Sequence, residues 1–169
     1  GITVSTLSLV AQDTTLTAQG RLAGLRETDA GTFTYSLQSK NLTPWLALVG
    51  QSGGGAVSMH GQATGTITAM QITGSANVAN LRVANNSLQS SSITYNATGV
   101  GGPQPHGQAT VTAQRMNAGV QWQTARLDVS FTGLRPLTLR VDFTGQDDAQ
   151  RQQQVKTQVH YAPGRTEAV

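Results

Sequence analysis

Few residues in this chain have the type and spacing to do chemistry. Gly50-Gln51-Ser52-Gly53-Gly54 fits the pattern G-x-S-x-G. That is the mark of a nucleophile elbow, which needs a strand before the serine and a helix after it, so that Oγ stands exposed on a tight turn. Here a helical stretch precedes the motif and an alternating run follows it, so the pattern reads as a Gly-rich connection. The histidines are His60, His106 and His160. No acid or second histidine stands two or four residues from any of them, the spacings that would put a second metal ligand on the same face of an element. Two of them head an internal repeat: His60-Gly61-Gln62-Ala63-Thr64 returns word for word as His106-Gly107-Gln108-Ala109-Thr110, 46 residues later. Each copy is expected to open a strand after a Gly-rich turn, and the repeat would bring His60 and His106 onto neighbouring strands. Asp147-Asp148 lies in a polar run, residues 145–154, that reads as a hairpin turn with no second acid in evidence for general acid–base work. Sequons begin at Asn41, Asn85 and Asn96, a pattern frequent by chance in a chain rich in Asn, Ser and Thr. The chain is therefore read as a non-enzyme with no metal site and no cofactor.

Composition frames the elements that carry these residues. Asp, Glu, Lys and Arg make up 11% of 169 residues, against about 25% in an average globular chain. Thr (23), Gly (19), Gln (18) and Ser (12) fill the gap. A net charge of +3 with 37% apolar residues does not describe charge-driven disorder. It describes an ordered β protein with polar, uncharged faces. The absence of cysteine removes disulfides, thiolate zinc sites and cysteine catalysis together. Nine Arg and two Lys are spread singly along the chain rather than clustered to track phosphates, so no nucleic-acid partner is expected. No apolar run approaches the ~20 residues of a membrane-spanning helix.

Alternation at the strand period recurs from end to end. It is clear at Phe33, Tyr35, Leu37; at Ile93, Tyr95, Ala97; at Leu127, Val129, Phe131; at Leu137, Leu139, Val141, Phe143; and at Val155, Thr157, Val159, Tyr161. With weaker runs near 2–10, 14–22, 55–64, 65–73 and 76–84, about eleven strands are predicted. Turn signals at 50–55, 85–86, 99–105, 117–119 and 145–149 separate them. The connections are too short for crossovers, so the strands form an antiparallel meander. Residues 119–132 read as one strand of more than ten residues, and long strands in a small domain bend, wrap or twist strongly. One segment departs from the pattern: Thr43 as N-cap, Pro44 in the first turn and Gly50 as the stop predict a short helix, with Trp45 plugging the end of the β core. The alternation leaves one face apolar, to be covered by the sheet itself in a sandwich or barrel, or by a ligand in a curved open trough.

From Leu37 to Thr98 the sequence resembles the repetitive regions of the TamB/AsmA-like family of bacterial envelope proteins. The likeness rests on Leu37-Gln38-Ser39-Lys40-Asn41-Leu42, the short helix at 44–49, and Gly53-Gly54-Gly55. Gly-punctuated strands follow: His60-Gly61-Gln62-Ala63-Thr64-Gly65-Thr66-Ile67, Met70-Gln71-Ile72-Thr73-Gly74 and Val78-Ala79-Asn80-Leu81-Arg82-Val83. The resemblance implies an all-β fold, a long antiparallel meander curled into a U-shaped open trough (a β-taco) with one short helix. It also implies that residues 1–169 are a single β-rich segment of a larger periplasm-spanning protein anchored to the inner membrane. Such proteins are associated with moving phospholipid between inner and outer membranes, or with outer-membrane protein assembly. The implied partners are phospholipid or another acyl-chain ligand, and an outer-membrane barrel protein reached through a C-terminal region.

The residues expected to line the lipid groove are those of the best-patterned strands: Phe33, Tyr35, Leu37, Ile67, Ile72, Leu81, Val83, Ile93, Tyr95, Val111, Leu127, Val129, Phe131, Leu137, Leu139, Val141, Phe143, Val155, Val159 and Tyr161. The same residues would equally form the core of a closed β-sandwich, since both arrangements demand one apolar face. In that case the chain is a structural or adhesive β module of a secreted bacterial cell-surface protein.

Overall fold

The computed structural model describes residues 1–24, 26, 28–162 and 165–167. It contains one antiparallel sheet whose strands lie side by side in chain order: β1 (Ile2–Ala11), β2 (Thr14–Leu22), β3 (Gly31–Ser39), β4 (Gly53–Thr66), β5 (Ala69–Val83), β6 (Asn86–Val100), β7 (His106–Asn117), β8 (Gln121–Thr132), β9 (Leu137–Asp147), β10 (Gln152–Ala162) and β11 (Arg165–Glu167). The first and last strands do not pair, so the sheet is not closed. The one helix among the described residues, α1 (Thr43–Leu48), sits in the β3–β4 connection. Among the described residues, the main close backbone approaches between elements are those of sheet neighbours and of α1 with β4. No helix among the described residues is long and apolar enough to cross a membrane.

The strands differ from the sequence expectation in three places. Where three short strands are expected over 55–84, residues 53–83 form two strands of 14 and 15 residues, because Gly74 lies inside β5, paired with Gly61 and Tyr95, and makes no turn there. Ile67 falls between β4 and β5, and is 48% exposed. At α1, Thr43 is the first helical residue and the N-cap is Leu42, which makes no side-chain cap. Asn41 supplies the missing acceptor instead: its Oδ1 takes the Thr43 N–H at 3.0 Å, freeing the Thr43 hydroxyl to donate to the Gly53 carbonyl. Gly50 stops the helix as expected, at φ 72, a conformation open to glycine.

The repeated pentapeptide does not sit on neighbouring strands. His60 is in the middle of β4 and His106 opens β7, three strand steps away. An odd number of steps in an antiparallel meander reverses direction, so the two copies run oppositely. The register Gln62↔Thr73↔Asn96↔Gln108 puts their middle residues at one level. The repeat is thus related by an approximate two-fold axis through the β5–β6 pairing.

Candidate functional site

Register decides what each face of the sheet carries, because paired residues share a face and successive residues alternate. One level reads Leu9, Leu16, Leu37, Met59, Ala76, Ile93, Val111, Leu127, Phe143 and Val155, one residue from each of β1 to β10 and all apolar. The adjacent level on the opposite face reads Ser8, Thr17, Ser36, His60, Ser75, Thr94, Thr110, Asp128, Asp142 and Lys156, all polar. At about 4.8 Å per strand the apolar band is roughly 43 Å long.

Of the residues expected to line a groove, most share this apolar face. Phe33, Ile72, Phe131, Leu139 and Val159 lie one level to one side of Tyr35, Tyr95, Val129 and Val141, and Leu137 pairs with Tyr161 beyond them. Val155, Val159 and Tyr161, on β10, are 60, 49 and 52% exposed. Ile67 is outside the strands, as above. Leu81 and Val83 reach the face only through an irregularity that crosses four strands. Asn80, Gln89, Arg115 and Gln123 each drop out of Cα pairing at the same level, and Asn80 and Arg115 have φ near 50. Beyond that line the alternation restarts, and Leu81, Leu88, Met116 and Trp122 follow one another across the sheet. Trp122 meets Phe143 edge to face, with ring centroids 5.3 Å apart, which fixes that row on the apolar side. Leu9, Leu16, Met59, Leu88, Met116 and Trp122 were not among the expected groove residues. Their alternation is short, and at three of these six positions the irregularity masks it.

Five aromatic rings lie against glycines of neighbouring strands. Phe33 covers Gly20, Tyr35 covers Gly61, Tyr95 covers Gly74, Phe131 covers Gly107, and Trp122 covers Gly145; a Cβ at any of these glycines would collide with the ring. The rings gain apolar contact that the glycines cannot supply, the aromatic rescue used in strongly twisted sheets. The approximate two-fold carries the Tyr35–Gly61 pair onto Phe131–Gly107. In the register Tyr35↔Gly61↔Gly74↔Tyr95, two tyrosines face each other across two glycines, and their hydroxyls meet at 2.7 Å. Partial burial, then its hydrogen bond with Tyr35, pushes the Tyr95 phenol up to about 12.

Most side chains of this face are only partly buried. Among the described residues its buried apolar residues are Ala76, Ala113 and Ala125. The larger side chains keep part of their surface in water. At one end Trp45 of α1 borders an open, mostly apolar cavity of about 510 Å³ lined by Leu9, Val10, Leu16, Leu37, Leu42, Trp45 and Val57. Trp45, expected as a plug, is 44% exposed; it spans the cavity edge and its indole N–H donates to Thr14 Oγ1 at 2.8 Å, which donates on to Ser39. Ser91 carries a buried hydroxyl with no partner.

The candidate chemical residues are scattered. His60, His106 and His160 lie on the polar face of β4, β7 and β10, bonded to Ser75, Thr98 and Thr138 respectively. Among the described residues no group of three or more His, Asp or Glu is placed to hold a metal. Ser52 stands between α1 and β4, the reverse of the strand-then-helix order of an elbow. Asp147 closes the β9–β10 turn: its carboxylate takes the N–H groups of Ala149 and Arg151 and the Arg151 guanidinium. The Arg151 backbone N–H, with that guanidinium and the Ala149 N–H, holds it below the usual carboxylate range against the opposing effect of burial. Asp128 is lowered by Arg126 and then by Thr110 on the polar face.

No protein-family model, no curated protein and no solved structure matches the chain.

Proposed function

We propose that this chain is a segment of an envelope protein of the TamB/AsmA-like kind, whose apolar sheet face binds acyl chains and conducts phospholipid between inner and outer membranes or supports outer-membrane protein assembly. The observation that carries the reading is the ten-residue apolar row running across an unclosed sheet. Soluble monomers rarely expose contiguous apolar patches beyond a few hundred Å², so a face this long calls for a ligand. Curled into an open trough, the sheet would bury each methylene of a bound chain for about 0.8 kcal/mol. A wall of aliphatic and aromatic side chains without a row of charged anchors holds no single position tightly, as passage along it requires. In this reading the protein works in the periplasm, with a membrane anchor and a barrel partner engaged by other parts of a longer chain.

Substituting the wall tests this. Val129→Asp and Leu139→Asp place a charge on a half-exposed apolar face, so the protein is expected to keep its β circular dichroism and lose phospholipid binding. Loss of fold in both variants would mean a closed core with an unpaired buried charge. That result would favour the structural or adhesive surface module.

A further inference from the structure

The pair Tyr35–Tyr95 is the one place where two tyrosine hydroxyls meet on the apolar face, and the sequence builds it at some expense. Gly61 and Gly74 must both be glycine for the rings to lie down toward each other. Each phenol has one proton. Within the pair one proton is used and the other remains free to be donated, alongside lone pairs on both oxygens. The pair is half-buried and surrounded at its own level by Ala18, Ala109 and Val129. The cations on β2 to β10 lie elsewhere: Arg21, Arg82, Arg126, Arg140 and Lys156 are paired in register with Thr, Ser, Gln and Asp of the polar face, and Arg115 sits at the irregularity, six residues along β7 from Ala109.

From this we infer that Tyr35 and Tyr95 form a hydrogen-bonding site for the carbonyl oxygen of a neutral acyl ester, with the acyl chain running along the face into the cavity bordered by Trp45. The inference rests on the acyl-binding reading of this face. Leu37, two residues from Tyr35 on the same side of β3, lines that cavity, a step of about 7 Å. The cavity's volume, about 510 Å³, lies in the range of small-molecule sites. A free proton on an otherwise apolar wall selects an acceptor, and the lack of a facing cation selects a neutral one over a carboxylate.

The test compares dodecane, methyl laurate and laurate as competitors for a fluorescent hydrocarbon, diphenylhexatriene, bound to the whole 169-residue chain. Methyl laurate is expected to bind tighter than dodecane by about three- to tenfold, the worth of one net hydrogen bond, and tighter than laurate at neutral pH. The double variant Tyr35→Phe/Tyr95→Phe keeps both rings over their glycines and is expected to lose the preference for ester over hydrocarbon while still binding dodecane. The wild-type ratio needs no variant to fold. Equal binding of dodecane and methyl laurate by the wild type, or an ester preference that survives the double variant, overturns the inference and leaves the acyl-binding reading standing. Laurate binding tightest overturns the assignment of a neutral acceptor. Failure of all three to displace the probe, or of the probe to bind, overturns the acyl-binding reading itself.

Discussion

Replacing Gly74 by alanine should destabilise the fold through a single added methyl. The new Cβ would collide with the Tyr95 hydroxyl and lie 2.7 Å from the His60 carbonyl oxygen. The carbonyl belongs to the β4 backbone and yields only with its strand; the ring can swing away, but then it releases Tyr35. Overpacking of this kind costs about 1–3 kcal/mol, and the lost hydroxyl pair about 1 kcal/mol. Against that, alanine stiffens the unfolded chain and returns about 0.4–1 kcal/mol. The net loss is about 2 kcal/mol. In urea, with a slope of about 2 kcal/mol per molar, the unfolding midpoint followed by tryptophan fluorescence should fall by about 1 M. A cycle with Tyr95→Ala isolates the cause: without the ring the same Gly74→Ala change should cost less than half as much, a coupling of about 1 kcal/mol. An unmoved or raised midpoint for Gly74→Ala, or strict additivity with Tyr95→Ala, would refute the ring-over-glycine argument.

The other expectations follow from the same geometry. Tyr95, raised to about 12, retains its proton in the folded protein where the unfolded chain has already lost it, so the stability it contributes is present below about pH 10 and lost as pH rises toward 12; ultraviolet titration should show one late tyrosine, absent from Tyr95→Phe. Asp147, with its carboxyl held low, contributes stability above its unfolded pKa that disappears as pH falls through its folded value. Asp147→Asn should therefore flatten the acid limb of the stability–pH curve, and an unchanged limb would show that the turn carboxylate is not coupled to folding. Trp45→Phe removes the indole bond to Thr14 and should lower stability by about 0.5–1.5 kcal/mol, measured as a urea midpoint.

Much of this arrangement is legible in the sequence, and the rest fails for identifiable reasons. The meander, the short helix with its Gly50 stop and the long strand ending at Thr132 follow from alternation and turn residues. Gly74 misleads because a glycine inside a strand and a glycine at a turn look alike until Tyr95 is known to lie over it. Ile67 misleads because Thr66-Ile67-Thr68 continues the alternation across a tight turn. Trp122 and Met116 are hidden by a slip in the alternation at Arg115 and Gln123 that a strict period of two cannot follow. The pentapeptide repeat is plain in the sequence, but its inverted sense depends on the number of strands between the copies. The Tyr35–Tyr95 pair, 60 residues apart, depends on four strands keeping register.

The most direct test of the central claim is native mass spectrometry of the protein purified without detergent, followed by organic extraction and lipid identification. Bound phospholipid in the wild type, lost from a folded Leu139→Asp variant, is the result this account expects. A clean unliganded mass from a well-folded protein that ignores added phospholipid would contradict it.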